Sequence, residues 1–231
     1  MSGAGHPLLV LELGGTDWGP LIQMPGGLSF PMNMRRYDWG YRTEPEPHLG
    51  GRQLSCPRGK VVGGSSSINV MAYVRGHRGD YDRWADKGAA GWSYADVLPY
   101  FRRMESWEKG GDEWRGNDGP LHTQSARSDD PLWESWIEAG NAMGFGFTED
   151  YNGEKQEGLG RSQSTIHEGR RHSAATAFLR PALRRGNVTL QDSTYVTRVE
   201  MGGTRAAGVG GARLGTAGGG HAADEVMPSG V

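Results

Sequence analysis

The chain has 231 residues, 25 basic and 27 acidic, for a formal net charge of -2. That balance excludes the basic footprint of a nucleic-acid or anionic-membrane binder. A single cysteine, Cys56, excludes an intramolecular disulfide framework and a cysteine-based zinc cluster, and suits a reducing compartment. Glycine reaches 39 residues while apolar residues make up only 35%, below the ~45–50% of ordinary globular domains, so part of a core is expected to be missing. No run approaches the ~18 consecutive apolar residues of a membrane-spanning helix. Residues 1–15 lack the basic start of a secretory signal. A cytoplasmic location is the expectation, peripheral contact with a membrane staying open.

The predicted elements begin almost at the first residue. Pro7-Leu-Leu-Val-Leu-Glu-Leu-Gly-Gly15 reads as a buried parallel strand, apolar on both faces and stopped by two glycines. Residues 16–58 hold many Pro, Gly and Arg residues and read as an extended, irregular connection. Residues 59–76 read as a loop leading to a possible helix. Asp80 is placed to cap a short helix, Tyr81 to Lys87, which Gly88 stops. Ser93 and Asp96 form a capping-box start, with Val97, Leu98, Phe101 and Met104 at helical spacing. Residues 107–128 read as loop.

Asp130-Pro131 opens a helix whose apolar face holds Leu132, Trp133, Trp136, Ile137 and Met143, and Gly144 ends it. Ser173 is placed to cap a helix through Leu179 that restarts at Pro181. Residues 187–191 and 194–200 read as strands around a turn at Asp192-Ser193. Ten of the last 31 residues are glycine, which predicts a flexible tail over 201–231.

One segment carries chemistry: Arg58-Gly-Lys-Val-Val-Gly-Gly-Ser-Ser-Ser-Ile-Asn-Val-Met71. Paired glycines let backbone approach a flat or charged ligand, and three serines supply short hydroxyls. Consecutive amides in such a turn can converge on one anionic site. The same composition also makes an ordinary loop. His77, His122, His167 and His172 lie in polar stretches without metal-ligand spacing and read as surface histidines, so no metal site is expected. Asp80, Asp82 and Asp86 read as a solvated helix face. The tryptophans leave open a sugar-binding platform, although Trp133 and Trp136 at helical spacing read better as core.

The strand at 8–15, the 58–71 segment, and Tyr73-Val-Arg-Gly76 together resemble the glucose-methanol-choline (GMC) oxidoreductase family. The resemblance continues through Asp80-Tyr-Asp-Arg-Trp84, Gly91-Trp92-Ser93 and Val97-Leu-Pro-Tyr-Phe101. It resumes in Gly169-Arg-Arg-His-Ser-Ala-Ala175, Phe178-Leu-Arg-Pro181 and Val196-Thr-Arg-Val199, covering roughly residues 8–200. Residues 24–39 and Thr43-Glu-Pro-Glu-Pro47 are similar to its choline dehydrogenase-like branch.

The resemblance implies an α/β fold, an incomplete doubly wound FAD-binding domain from residues 1–92 and 166–200. A mostly helical substrate-side insertion would fill 93–165, with the glycine-rich tail at 201–231. It implies a carboxylate, Glu12, for the adenosine ribose. Gly63, Gly64, Ser65 and Ser66 would lie along flavin and pyrophosphate. Val61, Asn69, Val70, Met71 and Ala72 would meet the flavin ring, and Val196 would meet the adenine through its backbone. Where some members carry a histidine that links the flavin covalently, this chain has Ile68, so the FAD would be held non-covalently.

The implied reaction is hydride transfer from an alcohol carbon to flavin, assisted by a base, with a small-molecule alcohol as substrate. The family's Gly-x-Gly-x-x-Gly turn and its catalytic histidine have no match here, so the catalytic residues stay unassigned and a partial chain is expected. A faint match to the strand before the family's second signature, Ala223–Gly230, is incomplete. The alternative is a non-catalytic remnant that does not bind FAD by itself. Substrate identity, electron acceptor and oligomeric state are not encoded legibly.

Overall fold

The structure, a computed structural model, describes residues 5, 7–127, 130–213 and 216–221. The Ala223–Gly230 match lies outside the described residues. The chain forms two compact units, one from residues up to 70 and from 173 onward, the other from 71–172. These divisions differ from the expected breaks at 92/93 and 165/166, because backbone of 71–75 is hydrogen-bonded to residues 151–165.

Strand β1 (Leu8–Leu11) pairs in parallel with residues 188–191, Leu8 opposite Val188 and Leu11 opposite Gln191. Its partner thus comes from the far side of the sequence. The expectation of cover on both faces is corrected: Leu9 is 50% exposed, in a described sheet only two strands wide. Beyond β1 come a single turn, α1 (Pro20–Gln23), and 3-10 turns at Pro25–Gly27, Pro31–Asn33 and Pro47–Leu49. A proline opens each, supplying the fixed φ and costing no needed N–H. A short hairpin, β2 (Tyr41–Arg42) with β3 (Ser55–Cys56), closes this irregular stretch. Ile22, Val61 and Ile68 form the buried apolar cluster beneath it, flanked by Met32 and Tyr37.

In the second unit α2 (Arg78–Asp86) is capped by His77, whose Nδ1 accepts the Gly79 N–H, and not by Asp80. Asp80 instead pairs with Arg83, and Asp82 accepts the Tyr94 N–H, tying α2 to α3 (Tyr94–Met104). The Ser93–Asp96 capping box forms as the sequence predicts. Strands β4 (Glu105–Trp107) and β5 (Leu121–Ser125) pair in parallel, and β6 (Gln163–Ser164) pairs antiparallel to β5. This sheet adds three short strands to the two helices of 93–165 and corrects the loop reading of 107–128 at Leu121–Ser125.

Between β5 and β6, α4 (Leu132–Ala142) begins where Asp130 Oδ1 accepts the Leu132 N–H. It packs through Trp133, Ile137 and Gly140, and a Cβ at Gly140 would lie 1.7 Å from Leu159. The broader apolar face that the sequence predicts is not buried: Leu132 is 73% and Trp136 52% exposed. A hairpin of β7 (Ile166–His167) and β8 (Arg170–Arg171) ends the unit.

Back in the first unit, a π-helical turn at Ala175–Leu179 runs into α5 (Arg180–Arg184), with the Ser173 hydroxyl accepting the Thr176 N–H. Then come β9 (Val188–Gln191), the partner of β1, and a meander of β10 (Thr194–Gly202), β11 (Arg205–Arg213) and β12 (Thr216–His221). The meander stands where a flexible tail is expected. A ladder is made by backbone groups alone, and its glycines serve close approach: a Cβ at Gly211 would lie 2.4 Å from the Tyr195 carbonyl oxygen.

Candidate functional site

Glu12 follows the last residue of β1. Its N–H donates to the Gln191 carbonyl and its own carbonyl accepts from Thr194 N–H, so both neighbouring backbone segments hold it. Its Oε1 accepts the Gly14 N–H at 2.7 Å. Burial pushes this carboxyl above its ordinary value, against the opposing pull of the Gly14 and Leu13 N–H groups.

Gly14 is where the next piece arrives. A Cβ there would lie 2.0 Å from the Lys60 carbonyl oxygen, so only glycine admits the backbone of 60–62. Val62 N–H then bonds the Gly15 carbonyl, and Ser193 N–H reaches the Gly14 carbonyl. Glu12, Val61 and the turn into Val196 therefore come into one neighbourhood from three distant parts of the sequence. Val61 is fully buried in the apolar cluster, so its side chain packs and only its backbone faces the loop. Val196 is 38% exposed on β10, opposite Gly211.

The turn itself is built by its glycines. Gly63 has φ 91° and Gly64 φ 56°, both left-handed. At Gly63 a Cβ would strike Ser67 Oγ and the Ala175 methyl, whereas Gly64 faces open space. The serine hydroxyls hold the loop together. Ser65 Oγ accepts the Gly59 N–H, Ser66 Oγ donates to Gly63 O and accepts the Ala174 N–H, and Ser67 Oγ donates to Val62 O. Past the 3-10 turn Gly64–Ser67, Asn69 and Val70 are exposed, Val70 by 53%. Met71 and Ala72 belong to the second unit.

Burial there alternates: Met71, Tyr73 and Arg75 are buried while Ala72 and Val74 are exposed, the period of an extended strand. Met71 has φ 62°, a left-handed conformation that is rare for a side chain of this size. An open cavity of about 590 Å³ lies on the exposed side, lined by Ala72, Val74, Trp136, Tyr151 and Leu159 among others.

Sequence reasoning missed two clusters in this second unit. The first is a buried ionic network. Glu105 accepts from Arg75 at 2.6 Å and from Arg115 at 2.5 Å, and Arg115 also pairs with Asp150 at 2.7 Å. Burial opposes ionisation of Asp150, yet bonds from Gln163 and the Arg115 guanidinium hold its pKa below the ordinary value. Its members stand up to 75 positions apart, so no local pattern marks them. The second cluster overturns the surface reading of His172, which is buried with half-buried His122 and His167 beside it. His122 and His167 stack at 3.8 Å, and buried His172 accepts the His122 N–H on Nδ1. Burial, then His122 and His167, push His172 down to about 4. Among the described residues no group of three or more His, Cys, Asp or Glu could hold a metal, and no helix is long and apolar enough to cross a membrane.

Residues 15–227 match the family model for GMC oxidoreductase. The chain belongs to the GMC oxidoreductase family. Oxygen-dependent choline dehydrogenase of Brucella anthropi is 59% identical over 204 residues, 88% of this chain and 37% of that protein. The enzyme of the same name from Sinorhizobium fredii is 56% identical over 204 residues, with the same shares. The chain thus spans little more than a third of these relatives' length. Among solved structures, pyridoxine 4-oxidase from Mesorbium loti superposes with a TM-score of 0.85 at 31% identity, over 93% of this chain and 43% of that one. Formate oxidase from Aspergillus oryzae gives 0.84 at 26%, over 96% and 40%. The fold is accordingly the expected α/β fold of a GMC flavoenzyme, in part.

Proposed function

We propose that this GMC chain supplies part of the FAD-binding surface of an oxidoreductase acting on the CH–OH group of a small alcohol, choline-like in class. The carrying observation is the convergence of Glu12, the Gly63–Gly64 turn and the 192–196 turn in one unit. The residues fit the cofactor's parts. A carboxylate at the end of a parallel strand can accept ribose hydroxyls, and in doing so Glu12 would exchange or share its bond to Gly14. Gly64 leaves room for backbone to approach a flat or anionic group. Val196 offers backbone groups beside the same strand end. Exposed Asn69, Val70 and Ala72 offer polar and apolar surface to a ring, and Val61 acts through its backbone.

Bound FAD supplies hydride acceptance, and the protein's part is to hold and orient it. Ile68, buried beneath the loop, has no nucleophile, so attachment is non-covalent. In this reading Glu12, the Gly63–Ser66 turn and Val196 of the first unit hold the cofactor, residues 93–165 are the substrate-side insertion, and the location is cytoplasmic. The base that removes the hydroxyl proton is left unassigned.

Titration of the purified chain with FAD, followed by flavin absorbance and tryptophan quenching, tests the reading. Saturable binding that Glu12→Ala weakens is the expected result. Absence of binding would leave the family membership intact and reject the site, favouring a chain that does not hold FAD by itself.

A further inference from the structure

The second unit spends its most buried polar groups on one short piece of backbone. The Met71 carbonyl accepts the Thr165 N–H at 2.9 Å, and Tyr73 N–H donates to the Gln163 carbonyl at 2.9 Å. The Tyr73 carbonyl accepts both Asn152 Nδ2 at 3.0 Å and Tyr151 Oη at 3.1 Å. Arg75 N–H donates to Asn152 Oδ1 at 2.7 Å. Asn152 is therefore a two-sided clamp, and it is fully buried. Its second amide hydrogen goes to Gln163 Oε1, which also accepts from Arg115; Gln163 Nε2 donates to Asp150. The clamp thus stands on the Arg115–Glu105–Asp150 ion network.

A left-handed residue with a long side chain persists only where its surroundings over-determine it, and Met71 at φ 62° sits at the head of this clamped segment. Clamping one edge and burying alternate side chains leaves Ala72 and Val74 presented on the other face. We propose that Asn152, with Tyr151 and Gln163, are positioning residues: they hold backbone 71–75 in one left-hand-kinked, extended conformation and so fix the surface that meets the flavin ring. The flavin half of this inference rests on the reading above; the conformational half does not.

The test compares Asn152→Ala with Leu98→Ala, a control on α3 outside the clamp, in the full chain. Hydrogen exchange read by mass spectrometry on peptides covering 69–75 needs no cofactor. In Asn152→Ala that exchange should rise about tenfold beyond any rise in Leu98→Ala, while peptides over β9 and β10 stay unchanged. A rise equal in both variants, or none, overturns the inference. With FAD bound, Asn152→Ala should also shift the flavin reduction potential and absorbance band, and Leu98→Ala should not. A loosened 69–75 with an unmoved flavin overturns the flavin half. Failure of the unaltered chain to bind FAD rejects the function instead, and the exchange result still decides the clamp.

Discussion

A missing Cβ is the most consequential atom in the first unit. Gly14 admits the Lys60 carbonyl at a distance no side chain tolerates, and the obstacle is backbone, which cannot swing aside. Gly14→Ala should therefore cost about 1–3 kcal/mol, the usual penalty of overpacking, and should weaken FAD binding at the same time; urea unfolding and FAD titration of the variant check both. His172 carries a pH signature. Its folded value is about 4 against the ordinary 6.5, so between those values the unfolded chain binds more protons. Its contribution is full above pH 6.5 and is lost as pH falls through about 4. The urea midpoint should drop across that window, and His172→Gln should flatten the slope.

The elements differ in what holds them. β1 and β9 are joined by a ladder and by apolar contact, while the β4–β5–β6 sheet is seated on buried ions. Removing one partner of such a network leaves the others charged and dry, at about 3–5 kcal/mol. Glu105→Gln, which strips Arg75 and Arg115 of their shared carboxylate, belongs to that class. Asp80→Asn breaks an exposed pair with Arg83 and should cost less than about 1 kcal/mol. Urea titration of the two variants, read by tryptophan fluorescence, should separate them clearly; equal losses would mean that the buried network is not what seats the sheet. The π-helical turn at Ala175–Leu179 also belongs to this scale, since Ala175 packs against Gly63 and Ala174 N–H bonds Ser66, closing the loop from behind.

At the scale of the molecule, the described residues expose more large apolar side chains than they bury. Trp18, Val74, Tyr100, Leu132, Met143 and Phe145 are each more than 60% exposed, against a core of twelve apolar residues that includes three alanines. The low apolar fraction of the composition thus has a structural counterpart. Exposed large apolar side chains bind hydrophobic dyes wherever they lie together. Native chain at pH 7 should enhance anilinonaphthalene sulfonate fluorescence while retaining its near-ultraviolet tryptophan signal; weak dye binding would show that these side chains are covered in solution.

Local chemistry was legible from the sequence wherever a few adjacent residues decide it. The Ser93–Asp96 capping box, the Asp130 helix start and the Ser173 cap each depend on groups within three residues of one another, whereas the proline-opened turns within 16–58 read only as an extended, irregular connection. The glycine–serine turn and its family were legible for the same reason, as an ordered run that few other chains would hold. Glu12 could be placed at a strand end, but its parallel partner, about 180 residues on, could not. Burial was the other blind spot: His172 reads as surface because polarity marks solvent on average, and buried Arg115 and Glu105 carry no local mark; only the fold supplied the partners that let them go inside. The left-handed Met71 and its Asn152 clamp have no local signature at all. Short-range sterics and capping are written in neighbouring residues; strand pairing, buried ion networks and enforced backbone conformations arise from groups far apart in the chain, and the tertiary structure alone decides them.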